Sequence, residues 1–161
     1  MYKKEKLRAK ILLVILIFLL IIVFNNKTKS YKDISIKNIE NNIVNCVSEK
    51  DKFVDGDNKS LKRYYGLNDK DYEEVIYHKP NSNMDVEELL IIKVKDESQI
   101  EGIEKSMNSR IENQKNSFKD YAPEQYSILN NGIVSVNGNY VFLAISKDAE
   151  KMQEKFLEYI E

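Results

Sequence analysis

The sequence predicts an α+β fold: one small domain with a four-stranded, mainly antiparallel sheet packed by helices, carried behind an N-terminal transmembrane helix. Three observations carry that expectation. Short β-branched and aromatic runs come in two adjacent pairs, amphipathic stripes at helical spacing flank them, and an unbroken apolar run follows a basic N-terminus. The expected element order is α-(α)-β-β-α-β-β-α. It can be read as two αββ halves with no residue-level repeat between them.

The apolar run extends from Ile11 to Phe24, fourteen residues without interruption. As a helix it spans about 21 Å, short of the ~30 Å hydrocarbon core. Counting from Leu7, with the stems of Arg8 and Lys10 laid along the acyl chains, gives about 27 Å. The length also suits a cleaved signal peptide, but the following "NNKTKS" holds no A-x-A site, and Thr28-Lys29-Ser30 carries a lysine in its middle. A retained single-pass anchor is therefore expected. Five basic residues precede the run, and the positive-inside rule then keeps residues 1–10 in the cytoplasm. Residues 11–24 become a transmembrane signal anchor, 25–32 a short tether and 33–161 an extracytoplasmic domain at the cell membrane.

Charge narrows the partners. The chain holds 25 Lys and Arg against 26 Asp and Glu, but beyond residue 30 the count is 18 against 25, a net charge of −7. Such a domain repels a phosphate backbone, so no nucleic-acid partner is expected. The expected partners are the membrane, through the anchor, and a protein or cell-wall polymer.

Within the domain, residues 33 to about 50 read as an amphipathic helix whose stripe is Ile36, Ile39, Ile43, Cys46 and Val47. Cys46 is the single cysteine, so it is expected to be a small core residue rather than a reactive thiol. "DKFVDGDNKS" reads as a polar break. Asp55 and Asp57 give it two acids of a calcium loop, but the third acidic position and the closing Glu are missing, so a turn is expected. "KSLKRYYGL" forms a short helix ended by Gly66.

"EEVIYHKP" and "VEELLIIKVK" form a pair of antiparallel strands joined through "NSNM". Asp96 and Gln99 open a long helix to about Lys119 with Ile100, Ile103, Met107, Ile111 and Phe118 on one face. In "NNGIVSVNGNYVFLAIS" the Asn137-Gly138 pair predicts a type I′ hairpin with Val134 opposite Val141 and Ser135 opposite Tyr140. Ala149, Met152, Phe156 and Ile160 mark a closing helix.

"ELLIIKVKD", the helix with "SRIENQKNSFKDYAPEQY", and "NGIVSVNGNYVFLAIS" followed by a charged helix resemble the domain-of-unknown-function family 4358 over Ile36 to Phe156. The resemblance implies an extracytoplasmic protein, often a lipoprotein, of low-GC Gram-positive bacteria. It names no activity and transfers no catalytic residue. Asn25, where a lipoprotein's anchor cysteine would follow the apolar run, departs from that pattern and favours the protein anchor.

No catalytic, cofactor-binding or metal-binding residue is expected. His78 is the single histidine, which excludes a two-His metal site or His-based triad within the chain. The adjacent acids Glu73-Glu74 and Glu87-Glu88 read as solvated edge positions. "YAPEQY" places Tyr121, Glu124 and Tyr126 around Pro123, and the proline after a helix reads as a helix-to-strand corner. Ile133, Tyr140 and Phe142 share one hairpin face while Val134, Val141 and Leu143 share the other. Either helices cover both faces, with the N-terminal helix expected on the first, or one is a binding surface. The candidate interaction surface is therefore Tyr121, Glu124, Tyr126, Ile133, Tyr140 and Phe142. The expected function is a membrane-anchored binding or interaction module. A hydrolase using dispersed carboxylates is the alternative.

Overall fold

"ELLIIK" forms strand β3 (Glu88–Lys93), and all six of its residues are buried. A strand apolar on both sides must lie inside a sheet covered on both faces. The computed structural model, which describes residues 30–161, places β3 at the centre of a five-stranded antiparallel sheet. The other strands are β1 (Phe53–Asp55), β2 (Glu74–Pro80), β4 (Ile133–Asn137) and β5 (Tyr140–Ile145), in the order β1-β2-β3-β5-β4. The basic segment, the apolar run and most of the tether lie outside the described residues. Among those described, no helix is long and apolar enough to cross a membrane.

Both sheet faces are covered. Leu90 and Ile92 of β3, with Val141, Leu143 and Ile145 of β5, pack under α2 (Asn58–Tyr65), α3 (Ile100–Phe118) and α4 (Pro123–Asn130). Leu89 and Ile91, with Tyr140, Phe142 and Ala144, pack under the N-terminal stripe Ile36, Ile39, Ile43 and Val47 and under α5 (Ala149–Ile160). Phe142 and Phe156 stack at 5.1 Å between ring centroids, and Tyr140 meets Phe156 edge-on at 5.8 Å. Burying each such ring contributes roughly 1.5–3 kcal/mol.

The strand pairs, the short helix, the long helix and the closing helix form as expected, and Gly66 ends α2 in the left-handed region at φ 71°. Four details differ. The N-terminal helix is broken into a 3₁₀ turn at Ile36–Asn38 and one helical segment, α1 (Glu40–Val44). Three asparagines in "ENNIVN" give the segment low helix propensity, and Asp33 is drawn to Lys93 instead of capping a helix. The stripe itself is buried as expected, while Cys46 sits half-buried at its rim, where burial pushes the thiol up.

The second difference is β1, which makes the sheet five-stranded rather than four-stranded. "FVD" is too short to show a period of two, yet Phe53 pairs with Pro80 and Asp55 with His78. Asp57 then accepts from the Ser60 N–H at 2.8 Å and caps α2. Gly56 is required between them, because a Cβ there would run into the Tyr77 ring.

Third, the hairpin turn is one residue later than expected. Asn137 pairs with Tyr140 and Val134 with Leu143, leaving Gly138-Asn139 as the two-residue loop. Gly138 has φ 60° and Asn139 is not positive, the pattern of a type II′ turn with glycine first. The shift moves each pair by two, so every side chain keeps its predicted face. Fourth, Pro123 is the first residue of α4, the helical position where a missing N–H costs nothing. "YAPEQY" is thus a helix-to-helix corner, and the strand begins only at Ile133.

Candidate functional site

The largest departure from the sequence reading lies at the start of β3. Glu88 is completely buried, although its place in "VEELL" reads as a solvated edge. Its position alternates with Leu90 and Ile92, which directs it under α3, and there it meets Arg110. Arg110 Nε donates to Oε2 at 2.9 Å and Nη2 donates to Oε1 at 3.2 Å, a two-point fork. The Tyr77 hydroxyl donates to Oε1 at 3.1 Å. Burial pushes the Glu88 carboxyl above its ordinary value, against the opposing pull of Arg110 and Tyr77. Burial also drives the Tyr77 phenol far up, with the Glu88 charge adding to the effect. The Tyr65 hydroxyl is buried beside the same carboxylate, close enough to influence it but out of hydrogen-bonding geometry.

Arg110 connects this buried network to solvent. Its guanidinium lies 4.4 Å from the centroid of the Tyr64 ring and lines a recess of about 190 Å³. Lys79 and Pro80 of β2, the β2–β3 turn and Gln114 of α3 complete the walls. The turn is tied in place. Asn81 donates its backbone N–H to Lys52 O at 2.9 Å and its side-chain amide to Asp51 O at 3.1 Å. Lys52 Nζ and Ser82 Oγ each reach Asp85 at 2.7 Å. Burial pushes the Asp85 carboxyl up, but the hydrogen bonds from Lys52 and Ser82 outweigh it and hold it below the ordinary range. A recess whose walls are fixed before any ligand arrives loses little entropy on binding.

The residues expected to form an interaction surface do not gather here. Tyr140 and Phe142 are fully buried and Ile133 is half-buried, because the N-terminal segment and α5 cover that hairpin face. That face is core. Tyr121 remains 61% exposed, with a tilted ring contact to Phe118 at 5.6 Å. Glu124 pairs with Lys147 at 2.8 Å, and Tyr126 is half-buried. They decorate a corner and line no part of the recess.

His78 is buried on the other sheet face, with Nε2 2.7 Å from Glu40 Oε1 and Nδ1 3.2 Å from Asp55 Oδ1. Among the described residues no group of three His, Cys, Asp or Glu side chains is placed to hold a metal ion. The one sequence signal that could have exposed the Glu88 site is parity. Glu88 shares its period-two face with Leu90 and Ile92, and a carboxylate on a face that α3 must cover requires a cation from α3.

Tyr64, Lys79, Glu88 and Arg110 all fall within the stretch that a protein-family model recognises. No curated protein and no solved structure matches the chain. The family model, Domain of unknown function (DUF4358), matches residues 45–146, more than half of the sequence and all five strands, and the chain belongs to that family.

Proposed function

We infer that the protein is a membrane-tethered, extracytoplasmic binding module and that the recess beside Arg110 is its ligand site. The observation that carries the binding site is the two-point Glu88–Arg110 pair, completely buried on the Glu88 side, behind an open polar recess. Replacing a buried ion pair by apolar residues is often neutral or stabilising, so such a pair is weak support for stability alone. Its geometric effect is to fix Arg110 at the wall of the recess.

The tethered part of the reading is supported by the apolar run, the basic residues before it and the net negative domain after it. The chain past that run is clasped early. Lys32 N–H donates to Ile160 O at 2.6 Å, and Ile34 N–H donates to the Tyr140 hydroxyl at 2.9 Å. Only Asn25 to Ser30 stand between the run and the clasped segment, about 20 Å when fully extended. A domain on so short a tether works near the membrane surface or the inner layers of a cell wall.

No observation favours the hydrolase alternative. The buried carboxylate with a raised value, Glu88, is locked to Arg110 with no exposed surface, so no substrate atom comes within hydrogen-bond reach of it.

The test is protease treatment of intact, wall-stripped cells with membrane fractionation and the mass of the N-terminal fragment. A membrane-bound, protease-sensitive domain that retains Met1 to Phe24 is expected. Protection from protease would overturn the outward-facing reading, and a soluble product beginning near Tyr31 would overturn the tether.

A further inference from the structure

We propose that the recess binds a small anionic group, a carboxylate or a phosphate, through the Lys79 ammonium and the solvent edge of the Arg110 guanidinium. The proposal rests on the binding-module reading and names the ligand chemistry of its site.

Around the recess, acids are satisfied while donors are not. Asp85, the carboxylate in the recess wall, is already held by Lys52 and Ser82. Asp57, in the hollow on the other side of Tyr64, is held by Ser60. Lys79 lines both spaces, yet its ammonium makes no hydrogen bond or ion pair among the described residues and reaches Asp57 only through charge. The side chains of Gln114 and Asn83 likewise make no hydrogen bond among the described residues, and both line the recess. The walls therefore offer donors whose own acceptors are missing.

Arg110 adds a donor of its own. A guanidinium has five N–H donors, and Glu88 occupies Nε and Nη2, which leaves the Nη1 edge uncommitted. The side chain is only 12% exposed, so that edge is a positioned donor rather than a waving one. The Tyr64 ring at 4.4 Å holds the guanidinium plane from one side. A planar fork suits the paired oxygens of a carboxylate or phosphate.

Size narrows the ligand. A recess of about 190 Å³ is below the ~300–1,000 Å³ of sites that enclose a whole small molecule. It accommodates a charged group and leaves the rest of the ligand outside. The adjoining hollow past Tyr64 mixes Lys59 and Arg63 with the carboxylates of Asp55 and Asp57, which confines the anion to the recess itself. Domain-wide attraction does not draw the anion in, since 25 acids against 18 bases beyond residue 30 leave the domain net negative.

The experiment is a nuclear magnetic resonance titration of the full chain in uncharged detergent micelles at constant ionic strength. One arm adds inorganic phosphate, one adds acetate, and one replaces part of the detergent with phosphatidylglycerol. Arg110→Ala is unsuitable because it would strand Glu88 in the core, so Lys79→Gln is the test variant and Lys119→Gln the control. Saturable shifts at Tyr64, Lys79 and Arg110, at least tenfold weaker in Lys79→Gln and unchanged in Lys119→Gln, are expected. Saturation by a free anion assigns a soluble or polymer-borne group, and saturation only by the lipid assigns a headgroup. The proposal is overturned if no arm saturates, or if Lys79→Gln responds as strongly as the native chain. A missing response in a domain that protease reaches would sink the ligand class alone. A saturable response in a protected domain would sink the outward-facing reading alone.

Discussion

On the α5 side of the sheet, buried polar groups from three strands reach for one short stretch of chain, Lys32–Glu40. Lys93 pairs with Asp33 at 2.7 Å, Tyr140 bonds to Ile34 and to Lys32 O, and His78 meets Glu40 at 2.7 Å. On the α3 side, the buried polar group Glu88 reaches instead for Arg110, at the wall of an open recess. Apolar packing is extensive on both faces, so the polar groups are what distinguish them. One face uses them to clasp the segment that follows the tether. The other uses them to hold a donor in place for something outside the chain.

The comparison breaks most sharply at Glu88. Glu88→Ala is expected to lose about 3–5 kcal/mol in urea unfolding, because it leaves Arg110 and the Tyr77 hydroxyl without their acceptor. A loss below ~1 kcal/mol would mean that solvent already reaches the pair. On the opposite face, Tyr140→Phe keeps the ring and removes the hydroxyl. About 1–3 kcal/mol should be lost, with faster hydrogen exchange confined to residues 32–36. Exchange that rose across the whole sheet would show that the hydroxyl supports the core and not the clasp.

Acid sharpens the same contrast. The hydrogen bond and charge of Lys93 hold Asp33 below its ordinary 3.8, so the stability that this ion pair contributes is full above that value. It is lost only as pH falls through the lowered value. Glu88 has the opposite sign. Its folded value lies above the ordinary 4.5, so folded Glu88 takes a proton first, and protonation relieves the cost of burying its charge while loosening Arg110. A titration of carboxyl carbons should therefore show Glu88 changing above pH 4.5 and Asp33 below 3.8. The reverse order would contradict the assignment of roles. The smallest effect is expected at Tyr121→Ala, within about 0.5 kcal/mol, since the ring is mostly in solvent. A larger loss would make the corner structural.

Much of the framework was legible in the residues. The period-two runs located four strands, and the face assignments survived a misplaced turn because the pairing error was an even number. Helical spacing located Ile103, Met107 and Ile111 in the core. What escaped was short or relational. A three-residue edge strand has no periodicity, and Pro123 both ends one helix and begins another. Arg110 lies on a predicted helix and Glu88 on a predicted strand, but nothing local links them across 22 positions. The N-terminal stripe covers the face with Tyr140 and Phe142 as its apolar spacing predicts, whereas the share of that cover contributed by α5 joins segments too distant in sequence to be read locally.

The most direct test of the account replaces the whole buried network at once, with Glu88→Leu, Tyr77→Phe and Arg110→Met in one chain. Urea unfolding and the phosphate titration are then run side by side on this variant and the native protein. The account predicts a folded variant at least as stable as the native chain, with no saturable response at Tyr64 or Lys79. A variant that still binds phosphate, or one that no longer folds, would contradict the claim that the Glu88–Arg110 pair serves the recess rather than the fold.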